Sequence, residues 1–334
     1  MSRLFIDIKD EQWPIVYDEK YNVSFFGLES LHVFDAKKWG NVVKYLSAAG
    51  FVDEGRLVKP NIAKKKDLLE VHTKKYLKSL QWSTNVATIA EIPVLACVPN
   101  FIVQRAYLKP MRLQTGGTVL AGRLAISRGW SINIGGGFHH CCSVKGSGFC
   151  PYADITLLLR LLIKEIVHTA MVLDLDAHQG NGYQRDFLGT KEVYIMDMYN
   201  KNIFPKDKKA KRAIRKKVEL DHLVEDQEYL TKLQINFKAA LKEFTPDILV
   251  YNAGTDILTH DPLGLLSISK EGIIERDEIV FKMCIENKIP IVMLTSGGYL
   301  KSTAKIIADS ILNLHEKKLI YGLESVASVI SPKS

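Results

Sequence analysis

The sequence predicts an α/β protein: a single domain with a doubly wound, mainly parallel sheet flanked by helices. Three observations predict it. Five short runs, residues 130–134, 171–175, 192–196, 248–251 and 289–294, are apolar nearly throughout instead of alternating, as strands covered on both faces are. Helical patterns separate most of these runs, which is the rhythm of βαβ units. No internal repeat, low-complexity tract or Gly/Ser linker interrupts the 334 residues, so 1–334 reads as one domain.

The elements follow in order. Asp35 reads as the N-cap of a helix over 36–49, which Gly50 ends, and Asp67 as the cap of a second helix running to Leu80. Residues 116–128 are helical in pattern and stop at Gly129. Strand 130–134 runs into a glycine-rich loop, and a helix over 153–168 follows. The second half repeats the alternation: strand 171–175, helix 181–188, strand 192–196. After an irregular basic stretch come helix 226–244, strand 248–251, helix 270–286, strand 289–294 and helix 300–314.

Composition narrows the function classes. Hydrophobic residues make up 47% and charged residues 25%, enough apolar surface to offset ordering entropy, so disorder is excluded as the main state. The most apolar stretch, 155–166, is interrupted by Arg160, Lys164 and Glu165, so no membrane span is expected. Residues 1–20 mix acids and bases and do not read as a secretory signal. The five cysteines form no CxxC pair, and adjacent Cys141 and Cys142 resist an ordinary disulfide. The expectation is a reduced, intracellular protein. The formal net charge is +8, which raises the question of a phosphate-bearing partner. Residues 206–217 alone hold eight Lys/Arg and one Asp, leaving the rest of the chain nearly neutral. Ala210, Ala213, Ile214 and Val218 recur there at helical spacing, so the segment reads as the wet face of a docked helix. No aromatic residue interleaves the cluster, and direct sequence-specific nucleic-acid binding is not expected.

The unusual residues fall at strand ends. Gly135-Gly136-Gly137-Phe138-His139-His140 follows one strand and Asp174-Leu175-Asp176-Ala177-His178 ends another. Asn252-Ala253-Gly254-Thr255-Asp256 and Ser296-Gly297-Gly298-Tyr299 follow two more. In a parallel sheet the carboxyl ends share one edge, where ligands bind, so four distant segments converge. Alternation along an extended chain turns Asp174, Asp176 and His178 to one side. Two carboxylates and an imidazole suit a divalent transition metal, with Asp256 the natural third ligand beside Asp176 and His178. Three ligands and an open position make a catalytic zinc arrangement. A histidine of the 139–140 pair beside such a metal can act as general base and then acid, and Tyr299 can donate to a developing oxyanion. Each string alone also reads blandly, as a polar strand end, as loop histidines bonded to backbone, or as a tyrosine after a turn. The conjunction points to an active site.

These motifs, with Gly148-Phe149-Cys150 and Asp174 through Gly182, resemble the zinc-dependent histone deacetylases of the arginase/deacetylase superfamily. Asn181, Gly254-Thr255-Asp256 and Leu266-Ser267-Ile268-Ser269 are similar to the class IV, histone deacetylase eleven-like members. The resemblance covers about 13–314 and implies the arginase/deacetylase fold. It implies that Asp176, His178 and Asp256 hold one Zn2+, which polarises the amide and lowers the pKa of a water toward about 7. His140 would be the general base, His139 a second, more electrostatic histidine oriented by Asp174, and Tyr299 the oxyanion donor. Gly148, Phe149 and Phe204 would line a channel for the acyl-lysine stem, whose charge acylation has removed. The family pattern also implies K+ near the metal loop, held by main-chain oxygens of Asp174, Asp176 and His178 together with Asp197, although Asp197 reads equally well as a strand end in solvent. Most of the family carries an aspartate where this chain has Asn181. A neutral amide orients an imidazole without stabilising its cation, so His140 should be less basic and simple deacetylation weaker.

The expected function is hydrolysis of acyl-lysine amides, acetyl and, by class, long-chain fatty acyl, in histones or other proteins. The resemblance further implies a nuclear and cytoplasmic location and co-repressor or other deacetylase complexes as partners. Three other readings fit parts of the pattern. A binuclear manganese hydrolase of the arginase type needs further carboxylates where Asn181 and Thr255 stand. An acetylpolyamine amidohydrolase shares the chemistry and differs in substrate. A weakly catalytic scaffold would not need the full set of reactive side chains.

Overall fold

The computed structural model describes residues 2–24, 33–53 and 55–322, so the last part of the single-domain range, 323–334, lies outside the described residues. Seven strands form one sheet: β1 (Ile15–Val16), β2 (Trp130–Asn133), β3 (Ala170–Asp174), β4 (Val193–Asn200), β5 (Lys216–Leu220), β6 (Leu249–Asn252) and β7 (Ile291–Leu294). Their order is β1-β2-β7-β6-β3-β4-β5, and every pairing is parallel. β2, β3, β4, β6 and β7 are buried at every position, which is why they read as unbroken apolar runs. Helices cover both faces, as the sequence predicts.

The helices are α1 (Lys38–Ala48), α2 (Lys65–Leu68), α3 (Lys74–Ser79), α4 (Ser83–Ala90), α5 (Asn100–Val103), α6 (Lys109–Arg128), α7 (Asp154–Glu165), α8 (Asn181–Asp186), α9 (Asp226–Glu243), α10 (Lys270–Glu286) and α11 (Thr303–Glu316). On one face α1, α9, α10 and α11 pack together, with Phe237, Phe281 and Ile311 fully buried. On the other, α6 packs on β2 and α7, with Leu120, Leu158 and Val172 at its centre.

Several expected elements differ. The expected helix from Asp67 to Leu80 is two short helices, α2 and α3. Asp67 lies inside α2, accepting from Lys64 N (2.7 Å), and the Thr73 hydroxyl starts α3 by accepting from Tyr76 N (3.1 Å). Helix α6 begins at Lys109, earlier than 116, because Gly116 and Gly117 are helix-interior contact points and not a start. A Cβ on Gly116 would collide with the Asn61 carbonyl, and one on Gly117 with the Tyr21 hydroxyl. Before α6 the chain runs through α5 and one π-turn, Gln104–Leu108. The basic segment is not a docked helix. It passes through a short 3-10 turn, Ala210–Ala213, into the edge strand β5. There Val218 and Leu220 are buried alternately with exposed or half-exposed Lys217 and Glu219, a period of two that the alanines upstream obscure. Strand β1, only two residues long, carries no pattern to detect.

What positions the site is the register. Asn133, Leu294, Asn252, Asp174 and Asp197 are successive cross-strand partners across β2, β7, β6, β3 and β4. Four contiguous central strands therefore stop at nearly one level, and the four motif loops leave from that line.

Candidate active site

Sequence alternation predicts Asp174, Asp176 and His178 on one side. The strand ends at Asp174, however, and the chain then turns: His178 N donates to Asp176 Oδ1 at 2.9 Å. Asp174 stays outside that pair, meeting it only where its Oδ1 accepts from the Asp176 main-chain N–H at 3.3 Å. Its Oδ2 faces His139 Nδ1 at 3.0 Å and accepts from the Tyr183 hydroxyl at 2.9 Å, while its Oδ1 accepts from Asn252 Nδ2 at 2.9 Å. Asp174 thus meets the His139 ring, the Tyr183 hydroxyl and the Asn252 amide.

Asp176, His178 and Asp256 do converge. One donor atom from each lies within 4.8 Å of the others, and all three residues are buried. His178 Nδ1 is 2.8 Å from Asp256 Oδ2 and 3.1 Å from Asp176 Oδ1. Burial and the adjacent Asp176 push the Asp256 carboxyl up to about 7. Burial opposes protonation of His178, but hydrogen bonds donated to the Asp176 and Asp256 carboxylates outweigh it and raise it to about 10. Two carboxylates this close and this dry are stabilised by a cation between them, and a tightly held proton is what a metal displaces. The donor set fits zinc.

The two histidines differ in their second partners. Burial disfavours a charged His139, but Asp176 and Asp174 outweigh it and push it up to about 9. His140 hydrogen-bonds the neutral Asn181 Oδ1 at 2.9 Å. Burial, with the positive neighbours His139 and His178, holds it well below the ordinary range. The ring centroids are 4.0 Å apart, yet their surroundings push the two histidines in opposite directions, environments that separate roles. Tyr299 N donates to Asp261 Oδ2 at 2.9 Å, and its ring stands edge-on to His178 at 6.3 Å. Burial and the Asp256 and Asp176 charges keep its phenol protonated, hence a donor.

The channel residues separate. Gly148 must be glycine: its φ is +52° and a Cβ would collide with the His140 ring. Phe149 packs its ring 6.0 Å from Tyr299 and lines the cavity above the histidines. Phe204 lies outside that cavity, half-exposed, with its ring 5.0 Å from His140. Asp197 does not end its strand in solvent; it is fully buried inside β4.

Three residues escape the sequence reading. Lys38 is fully buried, and its Nζ donates to the carbonyls of Gly297 (2.6 Å), Ser296 (3.1 Å) and Gly298 (3.3 Å) while lying over the Trp39 ring. It ties down the loop that carries Tyr299. Asp261 anchors the same loop through Tyr299 N, and Asp207 reaches Asn181. A lysine opening a helix reads as solvated, and only the passage of chain 260 residues away changes that. Asp261-Pro262 is a turn signal that marks Asp261 at most as structural.

Similarity to known proteins over most of the chain settles the family. A model of the histone deacetylase domain matches residues 32–314. Histone deacetylase 2 of Arabidopsis thaliana is 50% identical over 320 residues, 96% of this chain and 83% of that protein.

The chain belongs to the histone deacetylase family.

More distant relatives include the acetoin utilization protein AcuC of Staphylococcus aureus, 26% identical over 80% of this chain and 72% of that protein. Among solved structures, the HDA15 HD domain superposes with a TM-score of 0.74 at 20% identity, covering 92% of this chain and 88% of that one. A histone deacetylase homologue complexed with SAHA superposes at 0.64 and 23% identity, covering 82% and 76%. This histone deacetylase is therefore an amide hydrolase acting on acetyl-lysine, of a family whose members are zinc-dependent. The arginase-type alternative falls with that assignment. No helix among the described residues is long and apolar enough to cross a membrane, and all five cysteines are free.

Proposed function

We propose that the protein is a class IV-type, zinc-dependent protein-lysine deacylase whose substrates include long-chain fatty acyl-lysines as well as acetyl-lysine, with histones among the candidate proteins. The observation that carries the acyl-chain reading is the cavity at the histidine pair. It encloses about 110 Å³ and reaches past His139, His140 and Tyr299 to Leu95, Met111 and Tyr107. An acetyl group needs none of that apolar depth, whereas each buried methylene of a longer chain contributes roughly 0.8 kcal/mol.

Asp176, His178 and Asp256 would hold the zinc, which when bound supplies a Lewis acid for the acyl carbonyl and a water of lowered pKa. The other roles belong to side chains. His140, neutral and aimed by Asn181, accepts the water proton at Nε2 and returns a proton to the leaving lysine amine. His139, cationic against Asp174, stabilises negative charge as it develops. The Tyr299 hydroxyl donates to the carbonyl oxygen as it becomes an oxyanion. Phe149 and the Phe204 edge shield the site from water. Potassium is part of the same proposal: Asp197 Oδ1 is buried with no hydrogen-bond partner among the described residues, beside Asp174.

Turnover of acetyl-lysine and myristoyl-lysine peptides by the purified protein, with and without a zinc chelator, tests the reading. Faster release of myristate than acetate, abolished by the chelator, is expected. No release of either acyl group, or release untouched by chelation, would overturn it.

A further inference from the structure

The basic segment that the sequence leaves without a function ends up against the catalytic base. Its one acid, Asp207, carries the contact. Asn181 offers Oδ1 to His140 Nδ1 at 2.9 Å and Nδ2 to Asp207 Oδ2 at 3.3 Å. An amide can sit either way round, and what decides is the partner that cannot change its role. A carboxylate only accepts, so the amide NH2 must face Asp207 and its oxygen must face His140. An amide oxygen also only accepts. His140 must then carry its proton on Nδ1, leaving the Nε2 lone pair for the reaction.

Asp207 is well held for that task. Its side chain is nine-tenths buried. Arg185 Nε donates to Oδ2 at 2.5 Å, and the Ala210 and Lys209 N–H groups donate to Oδ1 at 3.1 and 3.2 Å. The side chain of Gln179 clamps the Asp207 main chain at both N–H (2.9 Å) and carbonyl (3.1 Å). Burial pushes the carboxyl up, but Arg185, the Ala210 N–H and Asn181 hold it below the ordinary range, so it stays an acceptor. A carboxylate at 181 would have needed no such orienter, since both its oxygens accept.

We propose that Asp207 is a positioning residue that sets the tautomer of His140 by fixing the orientation of the Asn181 amide. The inference rests on His140 as the base, but the histidine's proton position can be read without any substrate.

The test is the 15N spectrum of histidine-labelled protein, with the His140 resonances identified by His140→Gln. Wild type is expected to show His140 protonated at Nδ1; an Nε2-protonated ring overturns the proposal with no variant needed. Asp207→Asn keeps an oxygen for the Ala210 and Lys209 N–H groups but turns an NH2 toward Asn181 and Arg185, both donors. The Asn181 amide should reverse and the His140 proton move to Nε2. The kcat should fall by roughly 10²–10⁴-fold, the range that general acid–base catalysis contributes, with KM changed less than about threefold. In an Asn181→Asp background the same substitution should cost a few-fold or less. An unmoved tautomer in Asp207→Asn, or an equal loss in both backgrounds, would show that Asp207 only caps its turn. A protein inactive on every acyl-lysine peptide that still shows the tautomer change would keep this inference and refute the functional one.

Discussion

Replacing Lys38 by methionine removes one ammonium and leaves its apolar stem. Its four acceptors are the carbonyls of Ser296, Gly297 and Gly298 and the Thr255 hydroxyl. Gly297 O keeps the Thr255 N–H and hydroxyl as donors, so two carbonyls, Ser296 and Gly298, lose their partner among the described residues. Each orphaned carbonyl costs roughly 1–3 kcal/mol. Against that, burial pushes Lys38 down from 10.5 to about 8 despite the neighbouring Asp256 and Asp176. That is a net cost of about 3 kcal/mol for keeping the ammonium charged at neutral pH, which methionine does not carry. The two effects partly cancel, and the expected change runs from a gain of about 1 to a loss of about 3 kcal/mol, so Tm should shift by a few degrees at most downward. Activity should fall further, because the loop presenting Tyr299 loses its tether. The ceiling is the full value of an oxyanion donor, roughly 10²–10³ in kcat, and an intermediate loss of about 10–10²-fold is expected. The assay is kcat for a fluorogenic acyl-lysine peptide in wild type, Lys38→Met, Tyr299→Phe and the double variant. If Lys38 acts through Tyr299, its penalty shrinks to about twofold once the hydroxyl is gone. A Lys38→Met loss undiminished in the Tyr299→Phe background would refute the reasoning.

His72, Gly264 and Asn181 each carry a further prediction. His72 is buried and is pushed down to about 4 by that burial and, less, by Arg160. Its folded-state pKa lies below the unfolded one, so its contribution is complete above about pH 6.5 and is lost as pH falls toward 4, about 3 kcal/mol in all; in denaturant melts the wild type should therefore lose roughly 2–3 kcal/mol more than His72→Gln between pH 7 and 4.5, and an equal loss in both would refute it. A Cβ on Gly264 would collide with the Asp256 carbonyl, so Gly264→Ala should weaken zinc affinity by about 10–100-fold in chelator competition, and unchanged affinity would show that the Asp256 loop yields freely. Asn181→Asp places a carboxylate on His140 Nδ1 and should raise a base now held low by burial and by His139 and His178; because the base must be neutral, the acid limb of kcat/KM should move to higher pH, and an unmoved limb would mean the amide does not set His140's basicity.

Much of the site is legible in the sequence. Strands buried on both faces are apolar runs whatever their neighbours, and residues of unusual chemistry at their carboxyl ends converge wherever the sheet is parallel. That argument suffices for Asp176, His178, Asp256, His139, His140 and Tyr299. It misplaces Asp174 on the metal side, because alternation holds only while the chain stays extended and β3 stops at that residue. It turns the basic segment into a helix, because Ala210, Ala213 and Ile214 mimic helical spacing just before an edge strand whose period is two.

By itself, then, the sequence determined the fold class and which side chains gather at the carboxyl ends of the strands, since both depend on local pattern and residue chemistry. The tertiary structure alone decided which groups tune them. Lys38 becomes a buried tether only because α1 lies against a loop some 260 residues onward. Asp207 faces Asn181 only because the basic segment folds back over α8. A side chain's charge state, hydrogen-bond polarity and exposure are set by whatever the chain brings beside it, and no local spacing encodes that.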